Sequence, residues 1–188
     1  VVFLSDNGCP TMTGAGTNGP LSGEKVTYFE GGIRVPLLIR WPGVTRGGSV
    51  CATPVISCDF FATLMEIAGI DAQPHDGVSL TPLLKNANAQ LPPRDFHFHY
   101  PHYYPTTTPV SAIRSGDWKL LEYFEDNHLE LYNLKADPTE SSDLAQTNPA
   151  KTAELHQKLK QWRQSVNARL RIKARFCGSL RACPGRRG

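Results

Sequence analysis

Two short apolar runs early in the chain predict strands of a buried sheet. Val1–Leu4 is continuously apolar, and Val35–Trp41 is interrupted only by Arg40, so neither run alternates with polar residues. Such runs are typical of strands that are buried on both faces. The segment between them is rich in Gly, Thr and Asn, which favours a loop that carries functional groups.

A helix is predicted to follow the second strand. Ser57 is a candidate N-cap, and Gly69 is a stop signal. Phe60, Leu64 and Ile67 recur at helical spacing between them. This pattern predicts that the three apolar side chains belong to the core.

The second half of the chain shows short strand-like runs separated by turn residues. Phe96–Tyr100 alternates, and further runs cover Val110–Arg114, Trp118–Phe124 and Leu129–Leu134. These runs predict three or four antiparallel strands. Asn148 and Pro149 then supply an N-cap and a first-turn proline for a helix. Its apolar stripe consists of Leu155, Leu159, Trp162 and Val166.

A polar, proline-ended stretch at 86–93 separates these two halves and predicts a subdomain boundary. We therefore expect an α/β region over 1–92 and a small antiparallel-sheet region with a terminal helix over 93–170. Residues 171–188 form a basic tail without periodic pattern, for which we expect disorder.

Composition is that of an ordinary globular protein, with 40% hydrophobic and 20% charged residues. The net charge of +3 comes from the tail, because the first 170 residues hold 14 of the 20 cations and all 17 acids. This distribution argues against a nucleic-acid partner. The five cysteines include no CxxC pair, so neither a zinc site nor a disulfide framework is indicated. No apolar run approaches the roughly 20 residues that span a bilayer.

Asp6, Asn7 and Gly8 follow the first apolar run directly. Asn and Gly tolerate a left-handed backbone, so the tripeptide alone is consistent with a plain turn. However, ligands bind beyond the carboxyl ends of strands in open α/β sheets. A carboxylate beside an amide oxygen is also a hard-oxygen pair that Ca²⁺ or Mg²⁺ prefers. The tripeptide is therefore a candidate metal site as well.

The segments around this tripeptide resemble the type I sulfatases. In that family a strand ending in Asp-Asn-Gly precedes a glycine-rich loop with a lysine, then Glu-Gly-Gly-x-Arg-x-Pro and a strand ending in Trp-Pro-Gly. The matching residues here are Asp6–Gly8, Lys25, Glu30–Pro36 and Trp41–Gly43. The resemblance continues at Asp76–Leu84, Tyr100–Tyr103, Arg114–Leu120 and Leu131–Pro138 and covers roughly residues 1–170.

The resemblance implies an α/β fold, namely the C-terminal part of an alkaline-phosphatase-like mixed sheet with flanking helices, followed by a small α+β subdomain. It implies a sulfuric ester hydrolase that acts on sulfated carbohydrate. Asp6 and Asn7 would be ligands of a Ca²⁺ ion, and Lys25 would contact the sulfate or the leaving oxygen. His102, in the Tyr100–Tyr103 loop, would contribute to substrate recognition.

The family nucleophile is a formylglycine made from the cysteine of a Cys-x-Pro-x-Arg stretch, and this sequence contains no such stretch. Proline follows Cys9 and Cys183 one place too early. We therefore expect the chain to be a C-terminal portion, inactive alone, whose missing N-terminal half supplies the nucleophile and the other metal ligands. The family resemblance points to a periplasmic, secreted or lysosomal protein.

Two other functions stay open on the residues alone: a phosphate mono- or diester hydrolase of the same superfamily, and a non-catalytic binding remnant of the fold. His97 and His99 share a strand face, a spacing that is also compatible with zinc. Glu30 and Arg34 flank Gly31 and Gly32, and we expect an ion pair between them that stabilises a tight turn.

Overall fold

The computed structural model describes residues 1–71 and 76–170, so the basic tail lies outside the described residues. The strands are β1 (Val2–Leu4), β2 (Leu37–Ile39), β3 (Asp95–Tyr100), β4 (Val110–Ser115), β5 (Trp118–Tyr123) and β6 (Leu129–Asn133). The helices are α1 (Glu30–Ile33), α2 (Asp59–Ile67), α3 (Thr81–Lys85) and α4 (Pro149–Ser165), with a 3₁₀ turn at Thr11–Thr13. The predicted fold class, α/β followed by a small α+β region, is confirmed.

The four strands predicted in the second half form one antiparallel sheet in the order β3-β4-β5-β6. Helix α4 covers one face of this sheet. Leu155 and Leu159 of the helix are fully buried against residues of three strands: Ile113, Leu120 and Leu131. Asn148 caps the helix by accepting a hydrogen bond from the Lys151 N–H at 3.4 Å. The predicted helix and most of its apolar stripe are therefore confirmed.

The other face of the sheet is covered by the loop that precedes α1. Tyr28 and Phe29 pack on a second apolar cluster, formed by Val110, Ala112, Leu121, Tyr132 and Leu134. The rings of Phe29 and Tyr132 lie 6.0 Å apart in an edge arrangement. Because both faces are covered, the sheet holds the loop from the first half of the chain against the core of the second half.

Strands β1 and β2 pair antiparallel as a two-stranded sheet, with Phe3 opposite Leu38. The expectation that both would be buried is wrong for the chain by itself. Phe3 is 64% exposed and Leu38 61% exposed, because no other element of the described residues packs over them.

Helix α2 also differs from its prediction. Ser57 does not cap it, and Leu64 and Ile67 are exposed, at 59% and 42%. Its buried residues are Asp59, Ala62 and Thr63. Of the three residues that the spacing assigns to the core, only Phe60 is half-buried, while Leu64 and Ile67 face outward. The polar side chains of Asp59 and Thr63 attach the helix to its surroundings.

The buried carboxylate of Asp59 is the anchor of α2. It accepts hydrogen bonds from the backbone N–H groups of Ile56 and Val78, at 2.9 and 3.0 Å, and two from the Arg94 guanidinium, at 2.5 and 2.6 Å. Burial alone would raise the pKa of Asp59, but these donors lower it below its usual value.

Residues 86–93 contain neither helix nor strand, and the subdomain boundary placed there stays a prediction. None of the helices in the described ranges is long and apolar enough to cross a lipid bilayer.

Candidate functional site

The candidate metal ligands Asp6 and Asn7 lie in the turn that follows β1. The Ser5 hydroxyl donates to the Asn7 carbonyl oxygen at 2.8 Å, and the Gly8 N–H donates to the Gly32 carbonyl at 2.9 Å. Asp6 is exposed and Asn7 half-buried, whereas Gly8 is buried. The backbone of the turn is thus fastened to α1.

Gly8, Gly31 and Gly32 permit this close approach because they lack side chains. A Cβ on Gly8 would overlap the Gly31 carbonyl oxygen, and a Cβ on Gly31 would overlap the carbonyl oxygen of Ser22. These are backbone atoms that cannot move aside. Any side chain at Gly8 or Gly31 would therefore push the turn away from α1 or α1 away from the loop.

Lys25 lies in a second tight turn, formed by Glu24–Thr27. The Thr27 N–H donates to the Glu24 carbonyl at 2.9 Å, and the Thr27 hydroxyl donates to the same oxygen at 2.8 Å. Val26 has a positive φ of 74°, and the Lys25 side chain is exposed. The Met12 N–H and the Thr11 hydroxyl donate to the Glu24 carboxylate, and these hydrogen bonds lower the pKa of Glu24.

The two turns meet at Gly32. Its carbonyl accepts from Gly8, and a Cβ on Gly32 would overlap the carbonyl oxygens of both Glu24 and Thr27. The structure therefore places the Asp6–Asn7 turn and the Lys25 turn on the same short helix.

His102 is exposed in the segment after β3, with its ring 5.3 Å from that of Tyr100. The same segment reaches the lysine turn, because the Thr106 hydroxyl donates to the Lys25 carbonyl at 3.3 Å. An open cleft of about 550 Å³ lies between the segment and the loop, lined by Thr11, Ser22, Glu24, Phe29, Thr106 and Tyr132 among others. It offers hydroxyl, carboxylate and aromatic groups to a ligand.

The donor set at the first turn suits a hard cation, since it consists of one carboxylate and one amide oxygen. Two side chains fall well short of the six to eight oxygens that Ca²⁺ takes. Within residues 1–71 and 76–170, no group of three His, Cys, Asp or Glu side chains is arranged to hold a metal.

His97 and His99 do share a face of the sheet, but their contacts are structural. His97 stacks on Trp162 of α4, with ring centroids 4.7 Å apart. The Nδ1 atom of His99 lies 2.7 Å from the Ser111 hydroxyl, and its Nε2 atom lies 2.8 Å from the Arg169 carbonyl. These contacts give no support to the zinc alternative.

The sequence led us to expect an ion pair between Glu30 and Arg34, and this expectation is wrong. The Glu30 carboxylate contacts Lys119 at 3.1 Å and Arg114 at 3.4 Å, both on the four-stranded sheet. The sequence signal that was missed is the position of Lys119. It shares a strand face with Leu121, where an apolar residue would be the ordinary choice.

Comparison with known families gives a match over most of the chain. A family model described as N-sulphoglucosamine sulphohydrolase, C-terminal, matches residues 23–167. A sulfatase from Formosa agariphila is 35% identical over 94% of the chain and 35% of its own length.

Solved structures give the same picture. The structure of BT4656 with its substrate D-glucosamine-2-N,6-O-disulfate is 30% identical over 73% of this chain and 30% of that one, with a TM-score of 0.61. The structure of Ps i-CgsB is 28% identical over 86% of this chain and 35% of that one, with a TM-score of 0.71. The chain spans about a third of the length of these proteins, which share the alkaline-phosphatase-like fold.

Proposed function

Because the chain belongs to the sulfatase family, we propose that it is the C-terminal part of a sulfuric ester hydrolase that acts on sulfated carbohydrate. The observation that carries this proposal is the packing of two turns on one glycine-rich helix. One turn presents the oxygens of Asp6 and Asn7, and the other presents the ammonium group of Lys25.

These groups suit the chemistry of sulfate ester cleavage. The reaction places negative charge on the sulfate oxygens and on the departing oxygen, and positioned cations stabilise that charge. Asp6 and Asn7 would hold Ca²⁺, which supplies positive charge at the sulfate. Lys25 is exposed at the tip of a fixed turn, so its ammonium group is free to reach the sulfate or the leaving oxygen.

The remaining machinery would come from the upstream part of the same protein. The relatives are about three times as long as this chain, and the chain contains no Cys-x-Pro-x-Arg stretch. We propose that the upstream part supplies the formylglycine nucleophile and the other Ca²⁺ ligands. It would cover the apolar residues of β1 and β2, including Phe3 and Leu38, which are exposed in the chain alone.

A carbohydrate sulfate is the proposed substrate. The support is the similarity to BT4656, whose substrate is a sulfated glucosamine, and the hydroxyl-rich cleft beside the lysine turn. His102 lies on the segment that borders this cleft through Thr106. We propose that His102 hydrogen-bonds the sugar, whereas Lys25 acts on every sulfate ester.

The test uses the chain joined to its upstream sequence and matured to formylglycine. Lys25→Ala should abolish most hydrolysis of 4-nitrocatechol sulfate and of the sugar sulfate. His102→Ala should lower kcat/KM only for the sugar sulfate. The loss should correspond to about 1–3 kcal/mol of transition-state stabilisation, the value expected for one hydrogen bond. Lys85→Ala, at an exposed lysine of α3, is the control and should leave both rates unchanged.

The competing functions predict different results. A phosphatase would turn over 4-nitrophenyl phosphate in preference to the sulfate ester. A non-catalytic remnant would hydrolyse neither, even after maturation. The 188-residue chain alone should show no turnover above background, and sulfatase activity of that chain sensitive to Lys25→Ala would contradict the proposed division of the site.

A further inference from the structure

A buried lysine of the small sheet holds two carboxylates at the base of the candidate site. Lys119 of β5 is 1% exposed. Its Nζ atom lies 2.7 Å from Oε1 of Glu140 and 3.1 Å from Oε1 of Glu30. Arg114 of β4 contacts the other oxygen of Glu30 at 3.4 Å. Two cations and two acids therefore balance, and Lys119, Glu30 and Glu140 among them are buried.

Stability alone does not account for this arrangement. Buried ion pairs add little to stability compared with apolar side chains of similar volume, because both partners lose their hydration. Burial raises the pKa of Glu140 in spite of the neighbouring ammonium group. The arrangement is better explained by what the network holds in place, namely Glu30 at the start of α1.

The network fixes both the backbone and the side chain of Glu30. Oε2 of Glu140 accepts a hydrogen bond from the Glu30 backbone N–H at 2.6 Å, while Lys119 holds the Glu30 carboxylate. The residue before α1, Phe29, makes no side-chain cap, so Glu140 satisfies a free N–H at the start of the helix from a distant part of the chain.

Glu30 is directly followed by the glycines on which the site turns rest. The Gly31 N–H donates to the Ser22 carbonyl at 2.6 Å, and the Gly32 carbonyl accepts from Gly8. A displacement of Glu30 would therefore move the Asp6–Asn7 turn and the Lys25 turn together, since the backbones are in contact.

We propose that Lys119 is a positioning residue for the sulfate site: through Glu30 it fixes the two turns that carry Asp6, Asn7 and Lys25. The effect on catalysis rests on the proposed function. The link between Lys119 and the position of the two turns, which we call the coupling, does not. Lys119 does not touch the reacting groups, and it acts through the placement of α1.

The first test measures the coupling in the 188-residue chain by amide NMR. Lys119→Met removes the charge and keeps much of the volume. It should shift the resonances of Gly8, Gly31 and Gly32 by several line widths. The control is Arg163→Met, which removes a buried cation on the opposite face of the sheet and should leave these three glycines in place. Unshifted glycines in Lys119→Met would overturn the proposal.

Glu30→Gln provides a milder second variant in case Lys119→Met does not fold. It keeps the shape of the side chain and leaves Lys119 paired with Glu140. The glycine resonances should shift in this variant too, and their persistence at wild-type positions would equally contradict the coupling.

The second test measures catalysis in the mature, longer protein. Lys119→Met should lower kcat about 100-fold with little change in KM, as expected when reacting groups are misplaced by about 1 Å. Arg163→Met should keep its kcat at temperatures where it remains folded. Equal losses of kcat in both variants would reduce Lys119 to a stabilising residue. If wild type hydrolyses no sulfate ester, the proposed function fails, while the NMR result still decides the coupling.

Discussion

The two halves of the molecule use their apolar residues in opposite ways. In the second half, leucines of β5 and α4 are fully buried between sheet and helix, as Leu120 and Leu155 illustrate. In the first half, Phe3 and Leu64 expose more than half of their surface. Both regions have the sequence pattern of buried elements. The pattern therefore identifies apolar faces, but it does not show whether another part of the same chain covers them.

This difference matters for the candidate site, because Asp6, Asn7 and Lys25 all belong to the first half. Its glycine-rich loop is attached to the closed sheet by Tyr28, Phe29 and the Lys119 network. The turn with Asp6 and Asn7, in contrast, continues from the open strand β1. One side of the site is thus held by a complete core, and the other side is where we propose that the upstream part docks.

The largest expected effect compares a leucine from a helix of each half. Leu155→Ala in α4 should lower the free energy of unfolding by about 2–5 kcal/mol, since it opens a cavity in a closed core. Leu64→Ala in α2 should change it by no more than about 0.5 kcal/mol, because the side chain already faces solvent. Urea unfolding followed by the fluorescence of the three tryptophans, Trp41, Trp118 and Trp162, measures both. A large loss for Leu64→Ala would mean that the α2 face is covered in solution.

The second comparison breaks one ion pair inside the second half and one that joins α2 of the first half to Arg94, just beyond the linker. Arg163→Met removes the partner that lies 2.6 Å from the buried Glu122 carboxylate and should lower the free energy of unfolding by about 3 kcal/mol near pH 7. Arg94→Met should lower the free energy of global unfolding by less than Arg163→Met does. Asp59 keeps two backbone donors, and the apolar stripe of α2 adds little to the core.

The pH dependence of the Arg163→Met effect follows from Glu122. Burial would raise its pKa, but the hydrogen bond from Arg163 and the His156 ring, whose Nε2 atom lies 3.1 Å from the carboxylate, lower it below the usual value. A lowered folded-state pKa contributes stability above the unfolded-state value, about 4.3, and this contribution is lost as the pH falls through the folded-state pKa. The difference between wild type and Arg163→Met should therefore shrink below about pH 4. A difference that stays constant down to pH 3 would contradict the ion-pair explanation.

The smallest expected effect concerns the cap of α4. Asn148→Ala removes the acceptor of the Lys151 N–H and should lower the free energy of unfolding by about 0.5–1 kcal/mol. Asn88→Ala, at an exposed asparagine in the linker, should have no measurable effect. Thermal unfolding by circular dichroism at the helix wavelength compares the two, and equal melting temperatures would show that the cap does not stabilise α4.

The local sequence pattern was sufficient to predict the strands and the helix of the second half. Alternation and turn residues gave β3 to β6, and Asn148 with Pro149 gave the start of α4, because each signal acts on its near neighbours. The exposure of β1, β2 and α2 was not predictable, since periodicity identifies an apolar face without identifying what covers it. The same limit explains the wrong core assignment of Leu64 and Ile67.

The site was predicted less completely. The resemblance to sulfatases supplied Asp6, Asn7, Lys25 and His102, whose roles stay predictions. The partner of Glu30 was missed because Lys119 and Glu140 lie 89 and 110 residues further along the chain. No local rule connects residues at such distances, and Arg34 was the nearest cation in the motif.

The distance between Glu30 and Glu140 also has a consequence for synthesis on the ribosome. Chains grow at about 5–20 residues per second, so Glu140 is made on the order of ten seconds after Glu30. Lys119 is made before Glu140, so the start of α1 first lacks both of its distant partners and then only Glu140. Until β4 to β6 have been made, the glycine-rich loop also has no sheet to pack against. The loop that would carry the chemistry is therefore translated early but is fastened only after β6 and the turn that follows it have emerged.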